Sequence, residues 1–255
     1  MPFGIILLSG LLGTLAGSFL SVCIHRLPRA VSVVWPFSQC PACGYSLSWF
    51  EKIPILSWGL LARQCRSCFT PISVMYPAVE IVTGVVFAVS VFAFGDAALL
   101  AVRLVFACAL IVLFVIDLQH RVLPNIVTLP GIGFGFGAGL FLAPGWLSSL
   151  LGIILGAGIL LMLNALYTRL RGHQGLGMGD VKMLAMIGAF LGWPLMLLTL
   201  LLASLTGSIV GLGLIITGRR TRTETLPFGT FLAAAALAVS IAGDAMLAWY
   251  LSFYR

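Results

Sequence analysis

Two aspartates and four of the six cysteines carry the chemistry available to this 255-residue chain. Asp117 lies in the string DLQHRVLPN and Asp180 in GLGMGD, each at the end of an expected membrane helix. A charged side chain at the centre of such a helix costs about 2.5 to 3.5 kcal/mol, and less toward the interface, so carboxylates there require a reason. Two on the same side imply a dyad. Two carboxylates held close cannot both ionise easily and share one proton: the ionised member activates water, and the protonated member polarises a scissile carbonyl. The titration then belongs to the pair and gives a bell-shaped rate profile. Which of the two is the base is left open by their types and spacing.

The cysteines form two C-x-x-C pairs, Cys40/Cys43 and Cys65/Cys68. Each pair can bring two sulfurs to one ion, and together they close a tetrahedral zinc shell with no open position, which makes the expected Zn2+ structural. The alternatives are disulfides or unliganded thiols, and a reducing cytoplasm disfavours the former. A loop of roughly 50 residues has little core of its own and needs such a staple. Cys23 and Cys108 fall in apolar helices and read as packing residues.

Other polar groups are expected to serve these two sites. Gly177 and Gly179 are read as letting the backbone enter the helix with unusual dihedrals and letting an extended substrate approach Asp180, for which N-capping is a compatible structural role. Pro124 ends the Asp117 segment and keeps the chain non-helical there. Lys182 either neutralises Asp180 or marks the cytoplasmic face. Glu80, one turn into an apolar segment, either lines a water-accessible groove or pairs with Arg26 or Arg29. His25, His120 and His173 read as headgroup contacts, Asp244 as an interfacial residue, and Trp35, Trp49 and Trp58 as interfacial anchors or packing of the zinc module.

The elements that position these groups are membrane helices. Hydrophobic residues make up 61% of the chain and charged residues 8%, with a mean hydropathy of +1.15; soluble domains carry about 25% charged residues. The net charge of +7 is spread between apolar runs and forms no basic face, which excludes a nucleic-acid partner. Spans are expected near 3–24, 77–94, 98–116, 125–142, 147–168, 181–192, 194–217 and 229–251, the sixth and seventh separated at Gly192-Trp193-Pro194. The fold class is therefore an all-α polytopic membrane protein of about eight transmembrane helices with a small zinc-binding cytoplasmic loop domain. Its divisions are a first helix (1–24), a four-cysteine module (25–76) and a transmembrane bundle carrying both aspartates (77–255).

Basic residues cluster in alternate loops: Arg26, Arg29, Lys52, Arg63 and Arg66; Arg121; Arg169, Arg171 and Lys182; Arg219, Arg220 and Arg222. Arg103 and Arg255 fall on the other side. The positive-inside rule then places the zinc loop in the cytoplasm and both termini in the periplasm. MPFGIILL has no basic n-region, which favours a retained first helix over a cleaved signal. Small residues at helix-packing spacing, Gly13/Gly17, Gly131/Gly135/Gly139, Gly152/Gly156 and Gly207/Gly211, would allow close helix approach.

Taken in order, Gly17-Ser-Phe-Leu20 with Arg26-Leu-Pro28, the four cysteines, Ile72-Ser73 with Tyr76-Pro77-Ala-Val-Glu80, Asp117 to Asn125 with Thr128-Leu-Pro130, and Gly177-Met-Gly179-Asp180-Val-Lys182 resemble the type IV prepilin peptidases. The resemblance implies a bacterial inner-membrane aspartyl protease that removes the basic leader of type IV prepilins or type II secretion pseudopilins at the cytoplasmic face. It also implies S-adenosylmethionine-dependent N-methylation of the new terminus. It puts the catalytic pair on Asp117 and Asp180 and the zinc ligands on Cys40, Cys43, Cys65 and Cys68. The chain departs from the family pattern at Gln174 and Met75. The partners implied are the prepilin substrates and the lipid bilayer; the oligomeric state is left open. The alternative is a transporter using the aspartates for proton or cation coupling, disfavoured because both lie at helix ends and not at the midplane.

Overall fold

A computed structural model describes residues 3–33, 39–40, 42–48, 50–61, 63–172, 177–218 and 226–253. His173, Gln174, Trp35, Trp49, Arg219, Arg220, Arg222 and Arg255 lie outside the described residues, as does the side chain of Lys52. The described chain is helical: α1 (Phe3–Arg26), α2 (Leu56–Leu60), α3 (Met75–Ala93), α4 (Ala97–His120), α5 (Asn125–Gly139), α6 (Trp146–Arg171), α7 (Met178–Ile216) and α8 (Phe228–Ser252). Six of these, α1, α3, α4, α6, α7 and α8, are long and apolar enough to cross a membrane. The protein is a multi-pass membrane protein. Many large apolar side chains on these helices are exposed, among them Leu7, Leu8 and Leu11 on α1 and Ile154, Met162 and Leu166 on α6, as lipid-facing surfaces require.

The spans near 3–24, 77–94, 98–116, 147–168 and 229–251 match α1, α3, α4, α6 and α8. The sixth and seventh form one 39-residue run, α7, whose continuity is broken at Gly192 by a φ of 75° and ψ of 172°. A straight helix of that length would extend about 58 Å, far beyond a hydrocarbon core of about 30 Å. The break therefore falls where a span must end. Only glycine adopts such a φ cheaply, and a Cβ there would also meet Pro144 and the Ser148 hydroxyl. The expected 125–142 segment is realised as the 15-residue α5, whose Pro130 is tolerated inside a helix because neighbouring helices can satisfy the freed backbone groups.

The chain divides into two compact units, residues 1–100 and 101–255. In the first, α1 packs on α3. Gly13 meets Gly84, Phe87 and Thr83, and Gly17 meets the backbone of Glu80 and Val79, so closely that a Cβ at Gly17 would lie 2.7 Å from the Glu80 Cα. The loop between these helices contains a 3-10 turn at Phe50–Lys52, the short α2 and two isolated antiparallel bridges, Gln39 with Ser46 and Gln64 with Pro71.

In the second unit the first half of α7 is the hub. Met183, Leu184, Met186, Ile187 and Leu191 are fully buried, and a helix buried on all sides can be apolar on all sides. α6 and α8 pack along it, α5 covers part of it, and Phe106 of α4 stacks on Phe190 with ring centroids 4.4 Å apart. The α6–α7 crossing is made by glycine on both sides: a Cβ at Gly152 would collide with the backbone of Gly188 and one at Gly188 with that of Gly152, while Gly156 faces the Leu184 carbonyl. Gly131 and Gly135 of α5 meet Met186 and Phe190 of α7, and Gly139 meets Ser149. Gly207 and Gly211 face Phe231 and Leu226. The glycine pairs are thus packing sites, with Gly84 and Gly188 as partners that no spacing singled out. Arg103 is buried on α4 and interacts electrostatically with Asp244 of α8. Asp244 is itself exposed on α8.

Replacing Gly188 with Val should force α6 and α7 apart and cost about 1 to 3 kcal/mol, the usual penalty for overpacking. Thermal unfolding in detergent should show a lower midpoint, whereas the same change at Gly133, where a Cβ meets nothing, should leave it nearly unchanged.

Candidate active site

α4 ends just after Asp117. Arg121 adopts a φ of 54° and its N–H closes on the Asp117 carbonyl at 2.9 Å, a left-handed helix stop. Pro124 then caps α5 with extended dihedrals, φ −63° and ψ 125°, where its missing N–H costs nothing. Asp117 is 5% exposed. Its Oδ2 accepts the backbone N–H of Thr230 at 2.6 Å and the Thr230 hydroxyl at 2.9 Å.

Asp180 is in the first turn of α7, where Gly177 and not Asp180 occupies the N-cap position. Asp180 is the third helical residue, and its carboxylate takes a hydrogen bond from the backbone of Gly177. That is the reciprocal half of a capping box, so the expectation of an N-cap aspartate is corrected by three residues. The expected unusual dihedrals are corrected too: Gly177 is ordinarily extended at φ −73°, ψ 140°, and Gly179 lies within regular helix. What glycine supplies at 179 is space, because a Cβ there would sit 2.9 Å from that of Leu123. Leu123 also contacts Gly229, where a Cβ would lie 2.9 Å from Leu123 Cδ1 and 3.0 Å from Asp117 Oδ2. Leu123 wedges between the two helix starts while the Asp117 and Asp180 carboxylates interact electrostatically. The Lys182 Nζ donates to Asn125 Oδ1 at 2.9 Å and ties α7 to the start of α5, a partner other than the Asp180 carboxylate.

Leu123, Gly229 and Thr230 were not singled out by sequence. The available signal was Pro227-Phe-Gly-Thr230 opening an apolar span, a helix start with donors to offer, but nothing in it names the acceptor.

In the other unit the four thiols of Cys40, Cys43, Cys65 and Cys68 lie within 4.8 Å of one another. Cys40 and Cys68 sulfurs are 3.8 Å apart and Cys43 and Cys65 sulfurs 3.9 Å. Sulfurs about 2.3 Å from a tetrahedral ion must be about 3.8 Å apart, so the donor set and its spacing fit a zinc ion. Both knuckles have the same backbone plan. Cys40 N–H donates to Tyr45 O and Gly44 N–H to Cys40 O; Cys65 N–H donates to Thr70 O and Phe69 N–H to Cys65 O. Gly44 and Phe69 occupy the equivalent left-handed position, φ 72° and 58°. The Thr70 hydroxyl, 3.1 Å from the sulfur, and the Thr70 backbone hold the Cys68 thiol down to about 6, and the backbone groups of Cys43 and Ala42 lower that of Cys40. These two thiols are lowered toward the thiolates that a metal needs, whereas Cys43, despite its bond with the Tyr45 backbone, is pushed up to about 11 by burial and by the neighbouring thiols. The Trp58 indole donates to the Ile72 carbonyl at 3.2 Å and its ring carries the Arg63 guanidinium at 4.8 Å, so it packs within the module.

Glu80 is buried and accepts the backbone N–H of Ile55 at 2.7 Å, with a second bond from Ser18. Its expected pairing with Arg26 or Arg29 is not formed: Arg26 donates to Ser32 O, and Arg29 to His25. Ile55 has a φ of 63°, rare for a β-branched residue, and the Glu80 carboxylate holds its amide in place. Cys23 is buried in α1, as a packing residue should be.

Comparison with known proteins agrees with this inventory. Residues 11–94 match the Bacterial Peptidase A24 N-terminal domain and residues 104–212 the Type IV leader peptidase family. A prepilin leader peptidase/N-methyltransferase of Aeromonas hydrophila is 34% identical over 270 residues, covering 95% of this chain and 92% of that protein. The chain belongs to the type IV leader peptidase family. A relative of the same name from Stutzerimonas stutzeri is 32% identical over 280 residues, 100% of this chain and 96% of its own. One from Myxococcus xanthus is 42% identical over 210 residues, which span 82% of this chain and 63% of that protein. No solved structure matches the chain. Membership of a leader peptidase family leaves the transporter alternative without support.

Protein purified under reducing conditions without chelator should contain one zinc per chain by elemental analysis. Cys40→Ser or Cys65→Ser should lose it and render the 25–76 loop sensitive to protease, since binding and folding of so small a module are one process.

Proposed function

We propose that this chain is a membrane-embedded aspartyl protease that removes the leader of type IV prepilins or type II secretion pseudopilins, and then methylates the new N-terminus. The observation that carries the proteolytic half is the pair of carboxylates, Asp117 at the end of α4 and Asp180 at the start of α7, close enough for one charge to act on the other. In this reading a water bound between them attacks the scissile carbonyl carbon as its proton passes to the ionised aspartate. The protonated aspartate donates to the developing oxyanion. Collapse breaks the C–N bond, the leaving amine takes a proton, and the dyad is restored. The amine released is the nucleophile for the second reaction, attack on the sulfonium methyl of S-adenosylmethionine, an activity suggested by the names of the relatives.

The remaining roles follow the same reading. Gly179 keeps the two carboxylate-bearing segments close, while Lys182 and Pro124 fix α5 beside them. Cys40, Cys43, Cys65 and Cys68 hold a structural zinc, which organises the 25–76 module and takes no part in the proteolytic step. Glu80 fastens that module to the first helices and is a candidate for the methyl-transfer half. The working division is a first helix, 1–24, the module, 25–76, and the peptidase bundle, 77–255. The protein resides in the bacterial inner membrane with the module cytoplasmic and both termini periplasmic, as the distribution of basic loops suggests.

A site at helix ends on the cytoplasmic face selects the bond that it can cut. A substrate helix must be extended to expose a carbonyl, and that can happen without stranding unsatisfied backbone groups only at the edge of the hydrocarbon. The scissile bond should lie between a basic leader and the apolar segment, after a glycine.

Asp117→Asn and Asp180→Asn should each abolish cleavage of a prepilin by purified, folded protein, and the double variant should be no worse, because the pair acts as a unit. Substantial turnover by either single variant would remove the dyad from the mechanism. Mass spectrometry of the products should place the cut at the leader junction; a cut near the middle of the apolar segment would contradict the site's depth.

A further inference from the structure

The first turn of α8 offers backbone N–H groups with no partner inside the helix. One of them, at Thr230, the third helical residue after the cap Pro227, is spent on a carboxylate from another helix. Its N–H and its hydroxyl converge on the same oxygen, Asp117 Oδ2, at 2.6 and 2.9 Å, and Thr230 is itself buried, 6% exposed. Gly229 makes the approach possible, since a side chain there would lie 3.0 Å from that oxygen. Among the described residues Asp180 has a weaker set: one backbone donor, from its own N-cap residue Gly177. The two carboxylates of the proposed dyad are therefore not equivalent.

We propose that Thr230 is a positioning residue that fixes the roles within the dyad, holding Asp117 as the ionised base and leaving the shared proton on Asp180. The inference rests on the dyad reading above and adds the assignment that residue types could not make. Two donors on one oxygen favour the charged form of that group, and the positive end of α8 adds to them. A neutral carboxyl would accept the same two donors on an uncharged oxygen and would gain less. Among the described residues the charged groups facing Asp117 act in the same direction or are shared: Arg121, just beyond α4, is attractive, and Asp180 from α7 is the other half of the pair. Lys182 of α7 is engaged with Asn125. α5 has no titratable side chain, and those of α8, Asp244 and Tyr250, lie toward its far end.

With Oδ2 held by Thr230, Asp117 Oδ1 is the oxygen that takes the proton of the attacking water. Asp180 gives its proton to the carbonyl oxygen. When the C–N bond breaks, the proton on Asp117 leaves with the amine, and Asp180 recovers its own from the hydroxyl of the tetrahedral carbon as the carboxylic acid product forms. No other reactant is needed.

Thr230→Val removes the hydroxyl and keeps the shape and the backbone donor; Thr230→Ser restores the hydroxyl. Cleavage of a prepilin by purified protein should show kcat falling by about tenfold in Thr230→Val, the loss expected for one hydrogen bond to a charged group, with KM within about twofold as for a transition-state effect. The acidic limb of the pH–rate profile should move to higher pH and the basic limb should stay. Thr230→Ser should return both the rate and the profile. Thr230→Ala, which cannot overpack, gives the same readout if the valine is not tolerated. An unmoved profile, or movement of the basic limb, would overturn the role assigned to Thr230. That result is distinct from failure of the dyad itself, which would appear as activity in Asp117→Asn or Asp180→Asn.

Discussion

A carboxylate from one helix satisfying the first turn of another organises the second unit of this protein. The Asp117 Oδ2 bonds to the N–H and hydroxyl of Thr230 join the end of α4 to the start of α8, in a setting where neither the charge nor the backbone donors could be left without a partner. Because Asp117 is buried, the cost of placing it there is offset only while α8 begins at that spot. Leu123, against Gly179 and Gly229 alike, fixes where α7 begins relative to both. Three helix ends thus meet at one place, and a capping interaction becomes an arrangement of two interacting carboxylates.

Close backbone approach is the second device, and it recurs wherever a polar group has to be held. Lipid tails are as apolar as leucine side chains, so burial of apolar surface does not drive helices together; contact and hydrogen bonding must. Gly152 and Gly188 meet backbone to backbone at the α6–α7 crossing and leave the first half of α7 immobilised behind Asp180. In the first unit, Gly17 lets α1 rest on the Glu80 backbone, and the Glu80 carboxylate in turn holds the Ile55 amide. That contact reaches from a membrane-length helix into the cysteine module. The module has several non-glycine residues at positive φ, Ile55, Arg63 and Phe69 among them, a conformation that costs energy unless the surroundings impose it. The four-thiol cluster supplies such an imposition, since ligation of both knuckles by one ion would lock the loop around it.

Much of this was legible in the chain. The spans follow from apolar runs, the break at Gly192 from Gly-Trp-Pro, the four-thiol cluster from the two C-x-x-C pairs, and the family from motifs that occur in order. Residue type was informative there because the physical demand is local: a hydrocarbon core needs a run of a certain length, and a knuckle needs two sulfurs three positions apart. The misjudged details share a different origin. Gly177 and Gly179 were read for their own dihedrals, whereas Gly179 is small on account of Leu123, 56 positions away in sequence. For Lys182 and Glu80 residue type suggests a charged partner, but a desolvated group takes whichever donor or acceptor the fold delivers: the Asn125 amide for one and the Ile55 N–H for the other.

What the sequence determined by itself was the inventory: two carboxylates able to share a proton, four thiols able to close one coordination shell, and helices compelled by hydrocarbon to satisfy their own backbones. Only the tertiary structure decided how the inventory is used. Asp117 and Thr230 are 113 positions apart, and no periodicity connects a helix end with the start of another four helices later. The hydrogen bonds that distinguish one aspartate from the other exist only once α4, α7 and α8 have packed, because a helix terminus acquires a specific acceptor from its neighbours and not from its own residues.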